Sequence, residues 1–158
     1  MTEPVQVRDA TRGDAEAIAQ MSARFHAFHD LPGGVSAEII RRDAFGDPAW
    51  FELLVAEQAA STIGYALFHK SYETGQAMRG LYLSDLWVEP DARRCGVGRA
   101  LMTALGRRAR VCGAEFVWLV VQPWNAEGLH FYERCGAGGA DVKARAILVS
   151  TLLGDKGG

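Results

Sequence analysis

The tightest constraint on the fold lies between Gly80 and Val121, where an apolar strand, a basic glycine loop, a helix and a second apolar strand follow in order. "GLYLSDLWV" is apolar on both faces except near its middle, and Pro90 ends it, because proline brings no N–H to a ladder. "RRCGVGR" follows, and then a helical pattern from about Arg99 to Val111 with Leu101, Leu105 and Ala109 on one face. "FVWLVV" reads as a fully buried strand from its continuous apolar character. Upstream, "VQVRDA" is a short strand, and "WFELLVAE" and "TIGYALFHKSY" are strands joined by a turn around "QAAS". Asp14 is placed to cap the helix "AEAIAQMSARFHAFH"; "LPGG" breaks that helix, and "SAEIIRRDAF" predicts a second, shorter one. Downstream, "NAEGLHFYERC" is a helix stopped by Gly136, and "ARAILVSTL" is expected to supply a last strand. Strands that pair as hairpins and then alternate with helices predict an α/β fold, a mixed sheet covered on both faces.

The chain's 158 residues suit a single domain over 1–154, with 155–158 as a loose tail. A net charge of −2 argues against nucleic acid or an anionic membrane as the main partner. The apolar runs are too short to cross a bilayer, and the N-terminus carries no basic-then-apolar signal segment. Cys95, Cys112 and Cys135 are odd in number and form no CxxC pair, so neither a disulfide framework nor a zinc site is suggested. The expectation is a soluble, cytoplasmic domain without a metal.

Glycines bring backbone N–H groups close to a ligand, and a helix start favours negative charge, so "RRCGVGRA" reads as a phosphate cradle. A nucleoside-triphosphate loop needs Gly-Lys-Ser/Thr, whereas Arg99 and Ala100 follow Gly98. A dinucleotide fingerprint needs Gly or Ala where Leu101 stands, and its glycines follow a strand at once, whereas "EPDARRC" intervenes here. A helix start that merely favours glycine is the structural alternative. The remaining reading is an acyl-CoA pyrophosphate site. Arg93, Gly96 and Gly98 in Arg-x-x-Gly-x-Gly spacing resemble the acetyl-CoA loop of the GNAT superfamily of N-acyltransferases, and "LYLSDLWVEP" and "WNAEGLHFYERCGA" resemble its neighbouring segments. Within the superfamily, "FGDPAWFELLVAE" and "IGYALFHKSY" are most similar to the spermidine/spermine N-acetyltransferase group. That group typically carries Glu-Asp where this chain has Ser84-Asp85, Gly where Arg94 stands, and a Gly-Trp segment after its last helix.

The resemblance implies a mostly antiparallel sheet, split where acetyl-CoA binds, and a homodimer. It implies acetyl-CoA as co-substrate and the primary amine of a small molecule, such as a polyamine or diamino compound, as acceptor. The N–H groups of Arg94, Cys95, Gly96, Val97, Gly98 and Arg99 would wrap the pyrophosphate, with Arg93 and Arg94 as candidate phosphate partners. Leu86 N–H would stabilise the oxyanion, and the backbone of Leu86, Trp87 and Val88 would pair with the pantetheine arm. Tyr132 matches the general acid that protonates the thiolate, and Asn125 would cap its helix and touch the pantetheine. A free alkylamine has a pKa near 10.4, so neutralising it near pH 7 costs about 4–5 kcal/mol. Ser84 is no base at neutral pH. An unpaired Asp85 in an apolar strand would be costly, so it is either paired or aimed at an amine, with Ser84 beside it at the acceptor.

His26, His29 and Asp30 on one helix end form no complete metal set, and Phe25, Phe28 and His29 frame either an acceptor pocket or core. Glu52 and Glu57 are candidates for an acidic acceptor patch. The rival readings are acetylation of a protein or aminoglycoside-type amine and, from another class, an acyl-CoA-binding module without catalysis.

Overall fold

In the computed structural model, which describes residues 3–154, five strands lie side by side in chain order. They are β1 (Gln6–Asp9), β2 (Glu52–Gln58), β3 (Ser61–Glu73), β4 (Met78–Val88) and β5 (Phe116–Leu119). The first four pair antiparallel, and β5 runs parallel to β4 after a crossover through helix α3 (Val97–Val111). The sheet is thus mixed and mostly antiparallel. Residues through Val120 form one compact unit; those from Val121 form another, with helices α4 (Ala126–Arg134) and α5 (Val149–Leu153). The expected tail at 155–158 lies outside the described residues.

Residues opposite one another in an antiparallel pair share a face. Leu53 and Leu67, Val55 and Tyr65, and Tyr65 and Trp87 are such partners. Their common face is covered by α1 (Ala15–Phe28) and α2 (Ala37–Asp43), where Ala15, Ile18, Met21 and Ile40 complete a buried cluster. The other face takes α3, whose Val97, Leu101, Leu105 and Ala109 are buried at 3–4 spacing. Gly64 is required there: a Cβ would stand 2.8 Å from the Trp87 carbonyl and 3.4 Å from Leu101. Helices on both faces follow from these two apolar stripes.

Three expectations need correction. Helix α3 begins at Val97 rather than Arg99, because Gly96 at φ 84° is its left-handed N-cap. Strand β5 is not fully buried: Trp118 is exposed and its other residues are half-buried, as befits an edge strand that among the described residues pairs with β4 alone. "ARAILVSTL" forms no strand. Residues 140–148 have no regular structure and lie outside the five-stranded sheet, and α5 follows; β-branched residues make a strand only where a partner edge receives them.

Asp14 does stand at the start of α1, but its carboxylate turns back instead of capping it. It accepts from Thr11 N–H at 2.7 Å and from two Arg8 nitrogens at 2.8 and 2.9 Å. The Arg8 guanidinium, chiefly, holds its pKa down at about 2.

Candidate active site

The loop between β4 and α3 is built by a short 3-10 turn at Pro90–Ala92 and two left-handed residues, Arg94 (φ 61°) and Gly96. A Cβ on Gly96 would meet no protein atom within 4 Å, so the space above it is open. The first N–H groups of a helix have no partner within it, and the Ala100 N–H is the first to bond back, to Gly96 O at 2.9 Å. Gly96, Val97, Gly98 and Arg99 therefore direct donors and the positive end of α3 into that space, which suits an anion. Val97 itself is buried and anchors the turn, while Arg94, Cys95 and Arg99 are exposed.

Beside the loop, β4 carries a bulge. Leu67 faces Asp85 but Phe68 faces Leu83, so Ser84 is the extra residue, and it is exposed. On the other edge, parallel pairing runs from Gly80–Phe116 to Leu83–Leu119 and stops there. Among the described residues, β4 from Ser84 to Val88 has a partner strand on one edge only, and since Glu89 N–H bonds Ile63 O the alternation leaves the main-chain groups of Leu86 and Val88 facing the opening. Bulges beside sites re-aim side chains in this way.

The bulge sends Asp85 to the α1 face, where it is 8% exposed. Tyr65, fully buried, donates its hydroxyl to Asp85 Oδ2 at 2.8 Å. Burial pushes the Asp85 carboxyl above the ordinary range, against the Tyr65 hydrogen bond and the nearby imidazoles of His26 and His29, which pull it down. Burial, helped by the Asp85 charge, pushes the Tyr65 phenol up, so Tyr65 serves as a donor. The Ser22 hydroxyl also faces the Tyr65 oxygen and accepts from Val35 N–H at 3.1 Å. The sequence pointed to a partner for Asp85 but not to Tyr65. The signal was its inward position in "IGYALF", on the same face as the aspartate once the strands are registered.

The loop's arginines separate. Arg93 turns back against the sheet: its Nε donates to Val88 O at 2.9 Å, and its guanidinium carbon lies 4.7 Å from the Trp87 ring centre and 5.9 Å from that of Phe28. Trp87 is buried, and its indole N–H donates to Glu89 at 3.3 Å. Glu52 and Glu57 are ion-paired with Arg108 and Arg8. The described residues hold no cluster of three or more metal-ligating side chains, His26, His29 and Asp30 included.

In the C-terminal unit, Asn125 caps α4 as expected, its Oδ1 accepting from Gly128 N–H at 3.0 Å. Tyr132 lies on that helix with its ring centre 5.1 Å from that of Phe131.

A sheet opened along β4 beside a glycine-started helix makes a mixed α/β protein with an anion-ready loop next to an open strand edge. The Acetyltransferase (GNAT) family matches residues 16–137, and the chain belongs to that family. It is an N-acetyltransferase, and GNAT acetyltransferases use acetyl-CoA. The thialysine N-epsilon-acetyltransferase of Bos taurus is 30% identical over 143 residues, covering 84% of each chain. The L-ornithine N5-acetyltransferase of Arabidopsis thaliana is 35% identical over 74 residues, 47% of this chain and 32% of that one. A crystal structure of a transcriptional regulator from Bacillus halodurans C-125 superposes with a TM-score of 0.77 at 23% identity, over 92% of this chain and 100% of that one, which shows the shared fold. No helix among the described residues is long and apolar enough to cross a membrane.

Proposed function

We propose that this enzyme acetylates a primary amine of a small molecule bearing a second cationic group, a diamino compound, with acetyl-CoA as donor. The observation that carries the reading is the buried Asp85 carboxylate at the β4 bulge, held by Tyr65, on the strand face where Trp87 two residues on meets the rings of Phe25 and Phe28. A half-dry carboxylate beside aromatic rings suits an ammonium, which gains both charge and ring-face contact. The relatives' acceptors, thialysine and ornithine by name, are amines of that kind.

The open space at Gly96 and the helix-start N–H groups of α3 support pyrophosphate binding by the main chain of residues 94–99, with Arg94 as the phosphate-facing side chain. Arg93, stacked on Trp87, braces the loop instead. Leu86 N–H is the oxyanion donor in this reading, and Leu86 to Val88 receive the pantetheine. Attack of the neutral amine on the thioester carbonyl forms the C–N bond. Collapse breaks the C–S bond, the amide nitrogen sheds a proton, and Tyr132 gives one to the thiolate. A phenol near pKa 10 matches a thiolate of similar basicity. Three free cysteines support a cytoplasmic setting. The exposed apolar side chains Val142, Ile147, Leu148, Leu152 and Leu153 support a homodimer that covers them.

Following CoA thiol release across monoamines, diamines, an aminoglycoside and a peptide amine tests the reading. Preference for diamines is expected. Turnover of the aminoglycoside or peptide alone, or of no amine at all, would overturn it.

A further inference from the structure

Resting on the amine-acetylation reading, we propose that His26 on α1 is the general base that takes the proton from the acceptor ammonium, the role Ser84 on β4 is chemically unable to fill. His26 Nδ1 lies 2.8 Å from Ser22 O. A carbonyl only accepts, so Nδ1 carries the proton and the neutral ring keeps its lone pair on Nε2. The tautomer of a basic imidazole is thus fixed by its own helix. Among the described residues both polar contacts of the ring are made by Nδ1, and the side chain is half-buried, open enough to return a proton to water.

The ring is also tied to the Asp85 centre by contact. Ser22 Oγ is 3.5 Å from His26 Nδ1 and faces Tyr65, which donates to Asp85. Phe25, edge-on to His26 with ring centres 5.3 Å apart, lies 6.4 Å from Trp87, so this stretch of α1 covers the Asp85–Trp87 segment of β4. The titratable and charged groups around His26 are Asp85 from β4, Tyr65 from β3 and His29 from its own helix. Arg93 is engaged by Trp87 and Phe28, and Arg24 by Glu89. Asp85 is thus the carboxylate that faces this side of α1, while both neighbouring arginines are engaged elsewhere. His29 is oriented alike, with Nδ1 2.9 Å from Phe25 O, and is the natural comparison.

In the step itself, the ammonium N–H bond breaks, its electron pair stays on nitrogen, and the proton passes to His26 Nε2. The neutral amine then attacks, and His26 releases the proton to solvent. The test combines His26→Gln and His29→Gln with an acceptor series from a lysine-like amine to a fluorinated amine already neutral at the assay pH. His26→Gln is expected to bind acetyl-CoA normally by calorimetry and to lose about 10²-fold in kcat on the basic amine, the usual scale for a general base. It should approach wild type on the neutral amine and lose the acidic limb of the pH profile. Equal losses on every amine, a retained acidic limb, or the selective loss appearing in His29→Gln would overturn the assignment. Failure of the wild-type enzyme on all amines would instead overturn the acetylation reading beneath it.

Discussion

Replacing Gly96 by Val separates loop strain from ligand exclusion. At φ 84° the position is left-handed, and a side chain there costs roughly 1–2 kcal/mol in the folded state. No protein atom lies within 4 Å of the new Cβ, so no clash is added to that strain. A chain of this size loses about 2–4 °C in Tm for each kcal/mol, so a fall of only about 2–8 °C is expected. The effect on acetyl-CoA is larger, because the side chain fills the space into which the start of α3 directs its N–H groups. Hydrogen bonds to a charged group contribute about 1.5–3 kcal/mol each. Losing two would weaken binding by about 10²–10⁴-fold. Calorimetric titration with a parallel melting curve measures both. Unchanged affinity, or a loss of affinity only in proportion to unfolding, would refute the cradle.

Further outcomes are expected. Tyr132→Phe should bind acetyl-CoA almost normally and turn over about 10²-fold more slowly, as expected for a lost proton donor; equal single-turnover rates would reduce Tyr132 to packing against Phe131. Asp14 has its folded-state pKa lowered from 3.8 to about 2, so its stabilisation is present above pH 4 and disappears as pH falls through that interval. Denaturant titrations of wild type and Asp14→Asn should differ by about 1–2 kcal/mol at neutral pH, allowing for solvent around Arg8, and converge at the acid end. Gly106 lies inside α3, exposed, with open space at its Cβ, so Gly106→Ala should stabilise by about 1 kcal/mol without altering kinetics. A lower Tm would contradict that.

Much of the fold was legible because its elements have strong local signals. Pro90 closes β4, Gly96 opens α3, and the apolar stripe of Leu101, Leu105 and Ala109 fixes which side of α3 meets the sheet. The hairpin between β2 and β3 sat where "QAAS" placed it, with Ala59 and Ala60 both left-handed at φ 50° and 59°. What failed depended on partners. "FVWLVV" and "ARAILVSTL" are apolar enough for buried strands, but burial comes from neighbours the local sequence does not specify. The site divides similarly. The loop was readable, since its chemistry lies in consecutive N–H groups. The Tyr65–Asp85 pair needs the β3–β4 register and the Ser84 bulge, and the stacking of Arg93 on Trp87 has no sequence signature.

On the proposed reading, Asp85 is kept in a buried position to read a cation. Because burial raises its pKa, the folded state binds a proton more tightly than the unfolded chain, so ionised Asp85 lowers stability as pH rises through the folded pKa. An Asn amide avoids that burden and still offers Tyr65 an acceptor. The decisive measurement is steady-state kinetics of Asp85→Asn on a diamine and its matched monoamine, with a melting curve. A charge-assisted contact is about twice as strong as a neutral one, an excess of roughly 1–1.5 kcal/mol, so KM for the diamine should rise about 5- to 13-fold, with little change for the monoamine and no loss in Tm. Equal kinetic changes on both amines together with a lowered Tm would make Asp85 a structural residue and contradict the account.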